Sequence, residues 1–196
     1  MKILELGENY SGLCNAGTCD PAKRINIMTD SAILKSGKAF FIPEFAQQFS
    51  CQPHIALRIG RLGKNIAPKF AHRYIDAITS AVTIKAHNIT DGTPDCDICT
   101  AFDGAVLLGD FIEVSDATTA YNASAEFLIG ETPVNLCASN LRFGINDIVA
   151  YVSRYFALKM GDIILSGHPN ISHFLAQGEV VDAKVNQQHV LNIKIR

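Results

Sequence analysis

The chain has 196 residues, 48% of them hydrophobic and 18% charged, with a formal net charge of −2 at pH 7. That length suits one domain, 1–196, with a sizeable core, and its apolar content points to a buried subunit interface. The scattered Lys and Arg build no basic field for nucleic acid, and no apolar run reaches the ~18–20 residues of a membrane-spanning helix.

MKILELGENY carries Glu5 and no long apolar leader, so the sequence reads as cytoplasmic with reduced thiols at Cys14, Cys19, Cys51, Cys96, Cys99 and Cys137. In chain order, Lys2–Leu6 predicts a strand that turns at Gly7, and a Gly- and Cys-containing loop spans Ser11–Lys23. Strands follow at Ile25–Met28 and Phe40–Ile42, with a turn at Ser36-Gly37-Lys38 between apolar segments. Next comes Cys51–Ile66, CQPHIALRIGRLGKNI, whose first half alternates Ile55, Leu57 and Ile59 with His54, Ala56 and Arg58. This is the period of a strand, and it puts Gln52 and His54 on one face roughly 6.5–7 Å apart, close enough to share a ligand.

Pro68 and the spacing of Phe70, Ala71, Tyr74, Ile75 and Ile78 predict an amphipathic helix to about Ser80, followed by a β-rich Ala81–Ala86. A loop with Gly92, Pro94 and the Cys96/Cys99 pair leads to 101–114, read as a strand entered by a turn at Asp103-Gly104. Glu126–Ile129 and Thr132–Asn135 read as a hairpin across Gly130-Glu131. A second helix runs from Gly144–Asn146 to about Leu158, with Ile148, Val152, Tyr155 and Phe156 as its buried stripe and Gly161 beyond its end. Strands at Ile163–Leu165, Val180–Val185 and Val190–Ile195 close the chain. Many short strands and two principal helices make this a mainly β, α+β domain.

Several fragments together resemble the fumarylacetoacetate hydrolase family, in particular its short bacterial members. They are GENY, IGRLGKNI followed by FAHRYIDAI, AFDGAVLLGDFI, INDIVAYVSRYFALKMGDIILSGHP and the tail NQQHVLNIKIR, in order over nearly the whole chain. The resemblance implies a mixed-sheet β-roll, usually a homodimer, and a divalent-metal site (Mg²⁺ or another ion) acting on acylpyruvate-like and β-diketo acids. It also implies metal ligation by two Glu at i, i+2 and a later Asp, a donor set suited to a hard cation. Here those positions are Gln52, His54 and Thr83. An amide, an imidazole and a hydroxyl make a poor Mg²⁺ site.

Further departures lie at the family's other site positions. Its Arg and Asp after the later strand become His87 and Asn88, a lysine becomes Thr100, and its general-base His becomes Leu13. Its substrate-holding turn becomes Ser166-Gly167-His168-Pro169, while Asn9 and Tyr10 match. The expected pocket is therefore Asn9, Tyr10, Gln52, His54, Thr83, His87, Thr100, Ser166 and His168, with Leu13 and Phe174 as candidate plugs. No metal or other cofactor is expected.

Three functions follow from these residues. The first is a catalytically degenerate dimer that keeps a pocket for a small organic acid. The second is an active enzyme with a rebuilt site, metal-free or zinc-dependent, using His54 or His87 as acid–base group. The third is a zinc or thiol module on Cys14, Cys19, Cys96 and Cys99, whose spacing stays open between zinc, a redox pair and unremarkable thiols.

Overall fold

The protein is described from a computed structural model, covering residues 1–10, 23–91, 97–114 and 116–196. Fourteen strands are present among these residues: β1 Lys2–Leu6, β2 Ile25–Thr29, β3 Ile33–Lys35, β4 Ala39–Phe40, β5 Ala46–Ile59, β6 Ile75–Ile89, β7 Val106–Leu108, β8 Ile112–Glu113, β9 Ser124–Ile129, β10 Thr132–Cys137, β11 Ile163–Leu165, β12 His173–Phe174, β13 Val180–Val185 and β14 Gln188–Ile195. The α-helices are α1 Ile98–Ala101, α2 Ala117–Tyr121 and α3 Ile145–Tyr155.

The larger sheet has the order β2-β1-β11-β5-β6-β7-β3, with β12 added to β5 and β8 to β6. Its spine is the long antiparallel pair β5–β6, in which Gln52 faces Thr83 and His54 faces Ala81. The two ends of that order, β2 and β3, are joined by only the three residues Asp30–Ala32. Such a short link brings the edges together, so the sheet is rolled on itself. The smaller sheet, β10-β9-β13-β14-β4, packs across the outside of the roll.

Strand alternation divides the side chains of the roll into two sets. Leu4, Leu6, Ile55, Leu57 and Ile59 face outward into the main core, with Phe127, Ile129, Val181 and Ile193 from the smaller sheet. Helix α3 closes that core with Ile145, Ile148, Val149 and Val152. The inward set is smaller: Ile3, Met28, Ala56, Ala81, Val106, Leu108, Ile163 and Leu165 fill the lumen. Turn chemistry matches the pattern, since Asn186 and Gln187 both take positive φ in the two-residue β13–β14 hairpin.

The mixed β-roll and the 126–135 hairpin appear as expected. The helix expected over 68–80 does not form. Residues Pro68–Tyr74 make a 3-10 turn, and Ile75 begins a 15-residue strand. The spacing of Phe70, Tyr74 and Ile78 mimics a helical stripe, but the β-branched run to Ile84 is held by pairing with β5 along nearly all its length. Only α3 is a principal helix, and its Tyr155 is 60% exposed, outside the stripe expected for it. The strand expected over 101–114 is instead α1, β7 and β8 in succession.

Candidate functional site

One mouth of the roll is polar because four strands and one loop each place polar side chains on the inward face there. Glu5 follows Ile3 at i+2 on β1, Asn26 precedes Met28 on β2, and Gln52 and His54 precede Ala56 on β5. Thr83 and Lys85 follow Ala81 on β6, and His168 lies on the loop after β11. Glu5 was not anticipated as a site residue, yet it is the centre of the arrangement.

The Glu5 carboxylate is 4% exposed and hydrogen-bonded on both oxygens. Thr83 Oγ1 donates to Oε1 at 2.8 Å, and Asn26 Nδ2 donates to Oε2 at 2.9 Å. His54 Nε2 lies 3.2 Å from Oε1 and 3.0 Å from Thr83 Oγ1. Because the Thr83 proton is given to Glu5, Nε2 must carry the hydrogen that bridges both oxygens. Burial alone would raise the Glu5 pKa, but the hydrogen bond and charge of His54, with the Asn26 and Thr83 bonds, hold it down to about 2.

His54 is fully buried, and its Nδ1 finds no partner among the described residues. Its ring meets that of His168 edge-on, with centroids 5.4 Å apart. His168 Nδ1 is 2.9 Å from the Pro169 carbonyl, which can only accept, so Nδ1 carries the hydrogen and Nε2 the lone pair. Burial and the neighbouring His54 charge push His168 down to about 4, against the raising influence of the Pro169 bond and Glu5. His168 is thus a neutral base-form imidazole at pH 7.

Outside this network lies a cleft of about 210 Å³ lined by Gly7, Glu8, Arg24, Gln52, Thr83, Lys85, Thr100 and His168, with Glu5 and Asn26 at its floor. The cleft is polar and carries both signs of charge. It is large enough for an acid of a few heavy atoms and below the ~300 Å³ at which drug-sized pockets begin.

Of the residues expected in the pocket, Gln52, Thr83, Thr100 and His168 line this cleft, and His54 stands behind it. Thr83 rather than Gln52 supplies the His54 hydrogen bond. Asn9 is a clamp: Nδ2 donates to the Ser166 and Phe143 carbonyls, and Oδ1 accepts from the Phe143 amide. Ser166 Oγ accepts from the Ile55 amide at 3.2 Å. The Tyr10 hydroxyl is buried, which raises its pKa well above the usual phenol value despite a Ser166 hydrogen bond. These three hold the Ser166-Gly167-His168-Pro169 turn. Gly167 is required in it, because φ is +92° and a Cβ would sit 2.4 Å from the Gly7 carbonyl oxygen.

His87 does not line the cleft; it bonds Ser50 Oγ at 2.7 Å and rests against Phe174. Phe174 is 54% exposed and plugs nothing here. Leu13, Cys14, Cys19 and Cys96 lie outside the described residues, while Cys99 is buried. Cys51 is buried too, and desolvation, reinforced by Glu179, pushes its thiol up to about 12. Asp162 serves as a turn residue, accepting from the Lys159 and Lys2 amides and pairing with the Lys2 ammonium.

The sequence profile of the fumarylacetoacetate hydrolase C-terminal family matches residues 2–196. The chain belongs to that family. The mitochondrial oxaloacetate tautomerase fahd-1 of Caenorhabditis elegans is 23% identical over 188 residues, covering 92% of this chain and 88% of that protein. Fumarylpyruvate hydrolase from Pseudomonas aeruginosa, solved with Mn²⁺ and pyruvate, superposes with a TM-score of 0.84 at 18% identity, covering 100% of this chain and 89% of its own. The 5-carboxymethyl-2-hydroxymuconate delta-isomerase of Mycobacterium smegmatis gives 0.84 at 21% identity, with 99% and 78% covered.

The family's divalent ion finds a poor donor set in this mouth. Glu5 is the one carboxylate in the buried network, and Thr83, His54 and Asn26 already claim its oxygens. Among the described residues no group of three His, Cys, Asp or Glu is placed to hold a metal ion. A hard cation demands several anionic oxygens, and these residues do not fit it.

Proposed function

We propose that this chain is a non-metallic member of the fumarylacetoacetate hydrolase family that binds a small carboxylic acid in the Gln52–Thr83–His168 cleft. In this reading the family's divalent-metal C–C chemistry is absent. The observation that carries it is the Glu5–Thr83–His54–Asn26 network, a hydrogen-bond set that spends both Glu5 oxygens on protein donors where the family resemblance calls for metal carboxylates. Arg24 and Lys85 beside the cleft supply the positive charge a carboxylate needs. A structural neighbour held with pyruvate makes a short 2-oxo skeleton the natural first probe.

The test is a pyruvate titration of the purified protein in EDTA, followed by NMR, with a parallel assay of acylpyruvate hydrolysis in Mn²⁺. Saturable shifts at cleft residues in EDTA and no turnover are expected. Turnover that depends on Mn²⁺ would end this reading. A rebuilt acid–base enzyme would have to use His168, since His54 is sealed from solvent and His87 lies off the cleft. We also infer a homodimer, supported by Leu62 and Phe70, 72% and 41% exposed on one shallow depression. Sedimentation at micromolar concentration giving only a 21 kDa species would remove that inference.

A further inference from the structure

The cleft has an unusual polarity for a family whose resemblance implies a cation at this place. A metal ion is a lone-pair acceptor and therefore recognises ketone and enolate oxygens. The corresponding wall of this cleft offers the reverse. His168 is the middle of that wall, on the loop after β11, between Arg24 on the β2 side and Lys85 on the β6 side. Its Nδ1 hydrogen is committed to the Pro169 carbonyl, and its Nε2 lone pair has no protein partner among the described residues. An atom in that state is satisfied by a donor and repelled by a carbonyl oxygen.

We infer that the cleft selects short 2-hydroxy acids over the 2-oxo acids of the same skeleton, with the ligand hydroxyl donating to His168 Nε2 and its carboxylate held between Arg24 and Lys85. The inference rests on the binding reading above and narrows its ligand class. Gln52 and Thr100 line the cleft as well, and each can donate to the second carboxylate oxygen or accept from the hydroxyl, while Glu8 lies on the same lining as its one further acid among the described residues. The 210 Å³ volume favours an acid of three to four carbons.

Discrimination arises because a site that accepts from a hydroxyl leaves its acceptor unpaired when the hydroxyl is missing. In fully enclosed sites that effect reaches 10⁴ or more, and in an open cleft about tenfold is the expected scale. Lactate and pyruvate are the probes, nearly identical in size and charge, titrated into the wild-type protein in EDTA by calorimetry or NMR. Lactate is expected to bind about tenfold tighter. His168→Phe, which keeps a flat ring without a lone pair, should erase the difference, and His168→Gln, which keeps an acceptor, should retain part of it. Equal affinities in the wild type, or a preference for pyruvate, would overturn the inference while leaving the binding reading intact. A preference for lactate that survives in His168→Phe would overturn the role of Nε2. Binding of neither acid would overturn both.

Discussion

The two ends of the roll are each closed by a carboxylate with a basic partner, and the two closures are built differently. At the far end Arg58 donates to Asp76 at 2.8 Å and to Glu113 at 3.0 Å, and lies over the Phe111 ring at 4.9 Å. Those side chains remain wet: Arg58 is 27% exposed, Asp76 40% and Glu113 77%. At the mouth, His54 and Glu5 are 0% and 5% exposed, with every oxygen of the carboxylate bonded. The same nominal interaction is therefore a screened surface contact at one end and a desolvated network at the other. Carboxylate contacts on one sheet differ in worth by their access to water rather than by their lengths.

Glu5→Ala gives the largest expected break of this comparison. It leaves the buried Thr83 donor and the half-buried Asn26 donor without their acceptor and His54 Nε2 with Thr83 alone, and urea unfolding should register a loss of about 1–3 kcal/mol. Replacing both partners together, Glu5→Leu with His54→Leu, should recover most of that loss, because removing the whole pair removes the desolvation cost as well. A double variant as unstable as Glu5→Ala would mean that the pair itself, and not the orphaned donors, holds the mouth.

Acid should act on the same end. The folded-state pKa of Glu5 is depressed from 4.5 to about 2, so its contribution is fully present above the unfolded value. That contribution should be lost as pH falls from about 4.5 toward 2. In Glu5→Gln the pH dependence of stability over that window should flatten, and an unchanged acid transition would show that Glu5 does not govern it. The smallest effect belongs to the wet end. Glu113→Ala should cost less than about 1 kcal/mol and less still in 1 M salt.

The fold was largely legible in the sequence because alternation on β5 and the terminal strands is a local signal. Gln52 and His54 share a face in the structure as their i, i+2 spacing requires, and Gln52 pairs with Thr83 across 30 residues of chain. Ala81–Ala86 was legible as β, but Ile75–Ser80 misled because its pairing with β5 is non-local, while its flanking Phe70 and Tyr74 happen to fall at helical spacing. Glu5 was missed for a subtler reason. In ILELGENY it reads as one charge in an apolar strand, and only the inward facing of Ile3 shows that it must be buried. The signal existed: an acid at i+2 from a core isoleucine, flanked by Leu4 and Leu6 on the other face. Its partners Asn26 and Thr83 come from distant strands, and no local pattern brings them to it.

The central claim is that the mouth is closed by protein groups where a divalent ion is expected, and Mn²⁺ binding tests it most directly. Titration of the metal-stripped wild-type protein at neutral pH, read by the loss of the free Mn²⁺ paramagnetic resonance signal, should show no stoichiometric site up to about 100 µM metal, since Glu5 spends both oxygens on protein donors and Glu8 alone is too few oxygens for the ion. One Mn²⁺ bound per chain at micromolar affinity, lost in Glu5→Gln, would contradict it.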